Sequence, residues 1–209
     1  MNIAVISDIH ANYNALSAVI ADMSTARADS VFFLGDILFF GDEPQKCFEA
    51  LKALNPIVWI RGNTDDWLNE IDENFIPQNE REERCFKEFM RVTPLLTREA
   101  FDTVKSLPEK QEIELGGKKM LCVHGSDTRI NGSIGIMTPK EELEAIASRL
   151  CAGILLCGHT HTPFSATVNG KLIINVGSVG KPDDEPRACY CMLRFEGNNF
   201  GYEIRRVEY

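Results

Sequence analysis

The chain has 209 residues, of which 44% are hydrophobic and 25% charged, a balance that is typical of globular proteins and excludes general disorder. Its formal net charge of −9 argues against bulk binding to nucleic acid or to an anionic membrane surface. The charge is compatible with a phosphate substrate, because bound cations can reverse the sign of the field inside one cleft.

The cysteines and the apolar runs predict where the protein resides. Seven cysteines are present without a CxxC pair, which is typical of buried, reduced thiols in a cytoplasmic protein. No apolar run approaches the ~20 residues that a membrane-spanning helix requires, and no basic stretch with a cleavable apolar core precedes the first strand-like segment. We therefore expect a cytoplasmic protein without a membrane partner.

Strand-like and helix-like segments alternate through the N-terminal part of the chain. The spacing of apolar residues predicts strands over 2–7, 31–34 and 57–60. It predicts helices over 14–26 and from Pro44 onwards, where proline suits the first turn. Strands separated by helices of this length imply right-handed βαβ units and a largely parallel sheet.

The rest of the chain changes in character twice. Residues 64–107 are polar and charged and are predicted to be helical, with breaks at Pro77 and Pro94. From residue 111 onwards the pattern predicts hairpins, which favour a second, antiparallel or mixed sheet facing the first. We expect one domain over residues 1–209, with helices outside two packed sheets. The predicted elements of this part are strands over 111–115, 119–124, 154–157, 167–168, 172–175, 188–195 and 200–207, a helix over 139–150, and turns at 116–117, 169–170 and 196–198.

Polar side chains follow the predicted strands in five separate segments. All four histidines of the chain, two aspartates and one asparagine occupy these positions. Each motif alone is weak, since a lone Asp after Gly usually forms a turn or a helix cap and a lone buried His is usually a hydrogen-bonded core residue. In open α/β folds, however, the carboxyl ends of the strands converge on one crevice, so these residues together predict one site. They are Asp8, His10, Asp36, Asn63, His124, His159 and His161.

The residue types of this site predict bound metal. Imidazole together with carboxylate favours borderline transition metals, and we expect manganese first, with iron, zinc, nickel or cobalt as alternatives. Seven ligand groups exceed what one catalytic ion with an open position can use. Two divalent metal ions that share a carboxylate explain the number, and such a pair clamps the attacking and leaving oxygens of a phosphoryl displacement.

The order of these motifs resembles a known family. The series is similar to that of the calcineurin-like metallophosphoesterase superfamily, in particular its small bacterial and archaeal phosphodiesterase-like branch. The resemblance implies an αββα sandwich, in which two mixed β-sheets pack face to face with helices outside. The matching motifs are Asp8-x-His10, Gly35-Asp36 through Gly41-Asp42, Gly62-Asn63-Thr64-Asp65, Val123-His124-Gly125, Gly158-His159-Thr160-His161 and the closing loop Asn175-Val176-Gly177-Ser178-Val179-Gly180.

The same resemblance implies a reaction and a division of ligands. It implies a phosphoesterase, either a phosphodiesterase or a phosphatase, in which a metal-bridging hydroxide attacks phosphorus. Asn63 would bind substrate by stabilising charge on the phosphate oxygens. Imidazoles must be neutral to bind metal, so metal affinity should fall as the pH drops. Of the two ions, one would take Asp8, His10 and His161, the other would take Asn63, His124 and His159, and Asp36 would bridge them.

Several residues near the site keep more than one interpretation. Thr64 stands where many members of the family have a histidine that protonates the leaving group, and because threonine cannot act as a general acid we expect a preference for good leaving groups. Asn12 is interpreted as a helix cap, with a substrate contact as the alternative. Asp65 stays open between assisting catalysis and holding its loop, and Arg61 between a phosphate contact and a structural ion pair.

Substrate and partners are less defined than the site. The expected partner is a small phosphate-ester substrate, with phosphodiesters, nucleotidic phosphoanhydrides and phosphoproteins all open. The alternative function is a non-catalytic protein-interaction scaffold on the same fold, although such proteins typically lose metal-binding histidines and this chain keeps every one. A homo-oligomer is also open, because the final apolar strand could pair with the edge of a partner.

Overall fold

The computed structural model describes residues 1–197 and 199–209. This part of the chain contains ten strands and six α-helices. The strands are β1 (Asn2–Ile6), β2 (Ser30–Phe33), β3 (Val58–Trp59), β4 (Lys110–Leu115), β5 (Lys118–Val123), β6 (Ile154–Cys157), β7 (Phe164–Val168), β8 (Lys171–Asn175), β9 (Ala188–Glu196) and β10 (Asn199–Val207). The helices are α1 (Tyr13–Thr25), α2 (Pro44–Ala53), α3 (Trp67–Glu70), α4 (Glu80–Val92), α5 (Arg98–Ser106) and α6 (Lys140–Arg149), and a 3-10 helix spans Thr93–Leu95. The predicted turn at 196–198 includes Asn198, which lies outside the described residues.

Each of the two sheets has five strands and a parallel centre. In the first sheet the order is β10–β9–β1–β2–β3, with β1, β2 and β3 parallel and β9 and β10 antiparallel to their neighbours. In the second sheet the order is β4–β5–β6–β8–β7, with β5, β6 and β8 parallel and the two edge strands antiparallel. Both sheets are therefore mixed, as the resemblance implies.

Alternate residues of β1 face opposite layers, because side chains of a strand point to its two faces in turn. Ile3 and Val5 pack with Leu156 of the second sheet, so the two sheets meet face to face over an apolar core. Ala4, one position along, packs with Leu16 of α1 in the layer outside the first sheet. Helix α6 covers the outer face of the second sheet. The predicted αββα sandwich is confirmed.

The final hairpin joins the first sheet, and the interpretation that placed the late hairpins in a second sheet was wrong for this one. Strand β9 pairs antiparallel with β1, from Asn2 opposite Arg194 to Val5 opposite Cys191. Because β9 is buried over most of its length, it needs a central position, which the edge of β1 supplies. Strand β10 becomes an edge of this sheet, and its pairing with a second copy stays a prediction.

The polar middle segment is helical, as predicted. Helices α3, α4 and α5 follow one another, and Pro94 lies in the 3-10 helix that separates α4 from α5. The side chains of Asn79 and Thr97 cap α4 and α5 by accepting hydrogen bonds from the backbone of their first turns. Within the described residues, no helix is both long and apolar enough to cross a membrane.

Candidate metal centre

The candidate ligands lie at the carboxyl ends of strands from both sheets. Backbone hydrogen bonds tie the loops together there: Asp8 N–H donates to Gly35 O at 2.9 Å, and Gly158 N–H donates to His124 O at 2.8 Å. Because parallel strands end on the same edge of a sheet, the loops that follow them share one cleft. Asp8 and His10 follow β1, Asp36 follows β2, Asn63 follows β3, His124 follows β5, and His159 and His161 follow β6.

A first cluster consists of Asp8, His10 and His161. One oxygen and two ring nitrogens of these residues lie within 4.8 Å of one another. His161 Nε2 is 3.2 Å from Asp8 Oδ1 and 3.0 Å from His10 Nε2. These three side chains are the set that the resemblance assigns to one ion.

A second cluster consists of Asp8, Asp36 and His124, whose ligand atoms again lie within 4.8 Å of one another. Asp36 Oδ2 is 3.4 Å from His124 Nε2 and 3.8 Å from His10 Nε2, so this one oxygen faces both clusters. The other oxygen, Oδ1, accepts a hydrogen bond from the backbone N–H of Thr64 at 2.9 Å. This geometry suits a bridging carboxylate at Asp36, and it places Asp8 in both clusters as well.

Asn63 and His159 lie beside the second cluster. Asn63 Oδ1 is 3.1 Å from His124 Nε2. The His159 ring packs edge-on against the His124 ring, 5.2 Å between centroids, and its backbone N–H donates to Asp8 Oδ2 at 3.0 Å. His159 belongs to neither cluster, so its assignment to the second ion stays a prediction, whereas its backbone clearly orients Asp8.

Hydrogen bonds within the protein point lone pairs into this centre. His10 Nδ1 donates to Phe39 O at 3.1 Å and His124 Nδ1 donates to Leu34 O at 2.8 Å, because a carbonyl can only accept. In the neutral rings this leaves both Nε2 atoms without a proton. Asp8 Oδ1 is fully buried and has no hydrogen-bond partner among the described residues. Converging nitrogen and oxygen lone pairs of this kind fit divalent cations.

The charged groups of the centre shift one another's pKa. Burial alone would lower the pKa of His124, yet the carboxylates of Asp36 and Asp8 raise it to about 10. Burial also opposes ionisation of both carboxylates, but His124 holds their pKa below the usual range. The pKa of His10 is lowered, by burial first, and the Lys181 ammonium adds to that effect. The centre must therefore exchange protons when a cation changes its charge.

Backbone strain is concentrated on the candidate ligands. Several have a positive φ, in the left-handed region that residues other than glycine seldom adopt. Such conformations persist only where the surrounding structure imposes them, and they cluster at functional sites. Gly62 allows the loops to approach, because a Cβ there would lie 2.0 Å from Asp36 Oδ1. The strained residues are Asp8 (55°), His10 (48°), Asp36 (62°), His159 (68°) and His161 (55°).

Asp65, which the sequence left open, holds two of these loops together. Its buried carboxylate accepts hydrogen bonds from the backbone N–H groups of Asp36 at 2.7 Å, Ile37 at 3.0 Å and Gly62 at 3.1 Å. Burial and the nearby Asp36 carboxylate raise the pKa of Asp65 to about 7, and the three donors oppose that rise. Among the described residues, the hydrogen bonds of the Asp65 side chain are all with backbone N–H groups, so Asp65 positions the loops.

Asn12 and Arg61, whose roles the sequence also left open, make structural contacts. The Asn12 side chain accepts a hydrogen bond from Ala15 N–H at 3.1 Å, which is the helix cap expected for α1. Arg61 forms ion pairs with Asp66 at 2.7 Å and Glu109 at 2.9 Å. With its guanidinium held by two carboxylates, Arg61 is a structural residue.

Two residues at the rim of the centre were missed by the sequence analysis. A cavity of about 290 Å³ adjoins His10 and is also lined by Phe40 and Lys181. The Phe40 ring lies 5.6 Å from the His10 ring, centroid to centroid, and Lys181 Nζ lies over the Phe40 ring at 5.1 Å. Lys181 follows the closing loop of residues 175–180 directly, and this was the one signal that could have pointed to it.

Comparison with known proteins places this architecture in one family. The family model described as calcineurin-like phosphoesterase superfamily domain matches residues 1–198. The uncharacterized protein MJ0912 of Methanocaldococcus jannaschii is 28% identical over 228 residues, which cover 99% of this chain and 87% of that protein. A metallophosphoesterase from Sphaerobacter thermophilus superposes with a TM-score of 0.80 at 28% identity, covering 100% of this chain and 89% of that one. Vps29 from Entamoeba histolytica, solved in complex with zinc, shares the fold with a TM-score of 0.56 at 18% identity, covering 99% and 98% of the two chains. Strand order, site motifs and the match over nearly the whole chain agree, and the chain belongs to the calcineurin-like phosphoesterase superfamily.

Proposed function

We propose that the protein is a metal-dependent phosphoesterase that hydrolyses phosphate esters with two divalent metal ions, manganese being the first choice. The observation that supports this most is the convergence of two carboxylates and three imidazoles in two adjoining clusters that share Asp8. The family implies divalent metal ions, and the Sphaerobacter thermophilus relative is described as a metallophosphoesterase. Two clusters that share one carboxylate favour two ions over one.

Each residue of the centre has a distinct part in this proposal. Divalent cations held here supply Lewis acidity, which activates water and neutralises charge on a phosphoryl group. Asp36 would offer Oδ2 to the ions, since Oδ1 already accepts a hydrogen bond from the Thr64 backbone. The carbonyls that accept from His10 and His124 fix the direction of each ring. The Asn63 amide lies beside His124 and binds a non-bridging phosphate oxygen.

Thr64 supplies no proton to the leaving group in this proposal. Its hydroxyl is buried without a hydrogen-bond partner among the described residues, and a threonine hydroxyl is far too weak an acid for the role. General acid catalysis typically contributes ~10²–10⁴-fold in rate. We therefore propose substrates whose leaving groups depart without protonation, such as aryl phosphates, phosphodiesters and phosphoanhydrides, in preference to simple alkyl monoesters.

The test combines metal analysis with hydrolysis of bis(p-nitrophenyl) phosphate and of a dinucleoside polyphosphate in the presence of manganese. We expect two metal ions per chain and turnover that depends on them. Asp36→Asn should abolish turnover, because a neutral amide is a poor bridging ligand, while its oxygen can keep the bond to Thr64 and with it the fold. Asp102→Asn, on the exposed face of α5, is the matched control.

The outcome also separates the proposal from its alternative. If no phosphate ester is hydrolysed and fewer than two metal ions are bound per chain, the proposed function is wrong. A protein-interaction scaffold on the same fold would then be the better explanation. The convergence of five of the seven candidate ligands in two adjoining clusters supports the enzyme.

A further inference from the structure

We infer that Lys181 and Phe40 form an anion subsite beside the metal centre, which binds a second phosphate group of the substrate. The inference rests on the proposed phosphoesterase function and narrows its substrates to those with a further phosphate, as in a phosphoanhydride. It starts from the cavity of about 290 Å³ that His10, Phe40 and Lys181 line together. A phosphate ester whose phosphoryl group reaches His10 can extend its next phosphate into this cavity.

The backbone of Lys181 is fixed relative to the metal centre. Its N–H donates to Ser178 Oγ at 2.8 Å, and the same hydroxyl donates to Asp8 O at 2.8 Å. The preceding residue, Gly180, donates its N–H to Asp8 O at 2.9 Å. Two hydrogen bonds thus connect the loop that carries Lys181 to the backbone of a candidate ligand, so the Lys181 side chain starts from a defined backbone position.

Phe40 is held in an unfavourable conformation by contacts from a distant segment of the chain. Its φ is +82°, which is unfavourable for a bulky residue. Helix α4 supplies the contacts: Glu88 accepts from Phe40 N–H at 2.6 Å, and Arg91 donates to Gly41 O at 2.8 Å. Glu88 and Arg91 also pair with each other at 2.7 Å. A strained residue clamped on both sides is typical of a functional position.

The strain places a half-exposed aromatic ring between the metal centre and a cation. The Phe40 ring contacts His10 on one side and the edge of Trp67 at 5.6 Å on another, while Lys181 Nζ lies over its face. A cation over an aromatic face is attracted by the ring quadrupole. The ring therefore holds the Lys181 ammonium at the mouth of the cavity without neutralising it.

The charges around the cavity leave Lys181 as the group available to an anion. Two carboxylates also line the cavity, but Asp42 lies 3.6 Å from Arg91 and Glu43 forms an ion pair with Lys46. Within residues 1–197 and 199–209, no carboxylate oxygen lies within the 4.0 Å ion-pair distance of the Lys181 ammonium. Since its neighbours are paired and it is exposed, Lys181 can meet a phosphate oxygen directly.

The test compares the binding of ADP and AMP, which differ by one phosphate, to the metal-loaded protein at constant free manganese. Dissociation constants come from calorimetry, and inhibition of bis(p-nitrophenyl) phosphate hydrolysis gives a second measurement. We expect the wild type to prefer ADP, and Lys181→Gln to reduce that preference by about tenfold, as for a lost charge-assisted hydrogen bond. Phe40→Leu should reduce it in the same direction, because the ring no longer holds the ammonium.

The matched control is Lys105→Gln. Lys105 also lies over an aromatic ring, that of Phe101 at 5.6 Å, but on α5 and outside the cavity lining. It should leave the preference for ADP unchanged. Thermal unfolding of each variant shows that it is folded before binding is compared.

The possible failures point to different conclusions. If Lys181→Gln weakens the binding of AMP and of ADP equally, or weakens the binding of neither, the proposed subsite is wrong. If the wild type hydrolyses bis(p-nitrophenyl) phosphate but binds ADP no better than AMP, the subsite is wrong and the phosphoesterase stands. If the wild type turns over no phosphate ester and binds neither nucleotide, the proposed function itself fails.

Discussion

Asp65→Ala tests whether one buried carboxylate holds the two loops of the metal centre together. The substitution leaves the N–H groups of Asp36, Ile37 and Gly62 without their acceptor. A buried N–H without a partner costs ~1–3 kcal/mol, so three of them should lower the free energy of unfolding by at least about 3 kcal/mol, a large share of the ~5–15 kcal/mol by which domains are stable. Removing repulsion between Asp65 and Asp36 offsets a part of this.

Asp65→Asn separates the hydrogen bonds from the charge. Oδ2 accepts from both Asp36 and Gly62, whereas Oδ1 accepts from Ile37 alone. An asparagine whose oxygen takes the place of Oδ2 keeps two of the three bonds, so its loss should be about 1–3 kcal/mol, as for one unpaired group. We therefore expect the stability order wild type, Asn, Ala.

The assay is urea unfolding of chelator-treated protein, followed by manganese titration of each folded variant. Metal affinity should fall in the same order, because the loops that carry Asp36 and Asn63 lose their common anchor. Asp72→Ala is the control, since Asp72 is exposed and accepts a single N–H from Asn74 at 2.8 Å. An unfolding free energy of Asp65→Ala within about 1 kcal/mol of the wild type would refute the reasoning.

Three further predictions concern the leaving group, the thiols and the acid stability. Since Thr64 offers no acid, log kcat/KM for aryl phosphates should fall steeply as the pKa of the leaving group rises, and a flat dependence would contradict this. Ellman's reagent should react fast with exposed Cys151 in the native protein, and Cys151→Ser should remove this fast phase and leave a slower one from half-buried Cys85. Burial raises the pKa of Cys47 and Cys122 to about 12, which keeps them unreactive. Hydrogen bonds from Arg205 lower the pKa of Asp22 below its ordinary 3.8, so their stabilisation is present above about pH 4 and lost below it. Asp22→Asn should therefore lower the free energy of unfolding at neutral pH, with the difference from wild type closing in acid.

The candidate metal centre could be proposed from the sequence because its signal is local. Each candidate ligand comes directly after an apolar run, and the ends of parallel strands meet wherever such strands pair. The strain at Asp8 and Asp36 has no such signal, because a positive φ is imposed by packing from distant segments. The same holds for β9, whose place beside β1 depends on which strand edge is free. Phe40 and Lys181 lie far apart in the chain and meet only in the fold.

The proposed binding of metal by His124 requires the loss of a proton, which makes the electrostatics of the centre measurable. Its Nδ1 faces Leu34 O at 2.8 Å, so only Nε2 can bind an ion. Against the effect of burial, Asp36 and Asp8 raise the pKa of His124 to about 10, so the ring carries a proton at neutral pH in the metal-free protein. Because the pKa lies above the working pH, a bound cation must displace that proton.

Manganese affinity should rise with pH, because the pKa of His124 lies above the working pH. Below about pH 10 the free protein binds one more proton at His124 than the metal-loaded protein, so apparent affinity should rise about tenfold per pH unit. Calorimetric titration of manganese into metal-free protein, in buffers of different ionisation enthalpy, counts the protons released, and His124→Gln should release fewer. If binding released no proton and manganese affinity did not change between about pH 6 and pH 8, the two buried carboxylates would not keep His124 protonated in the metal-free protein.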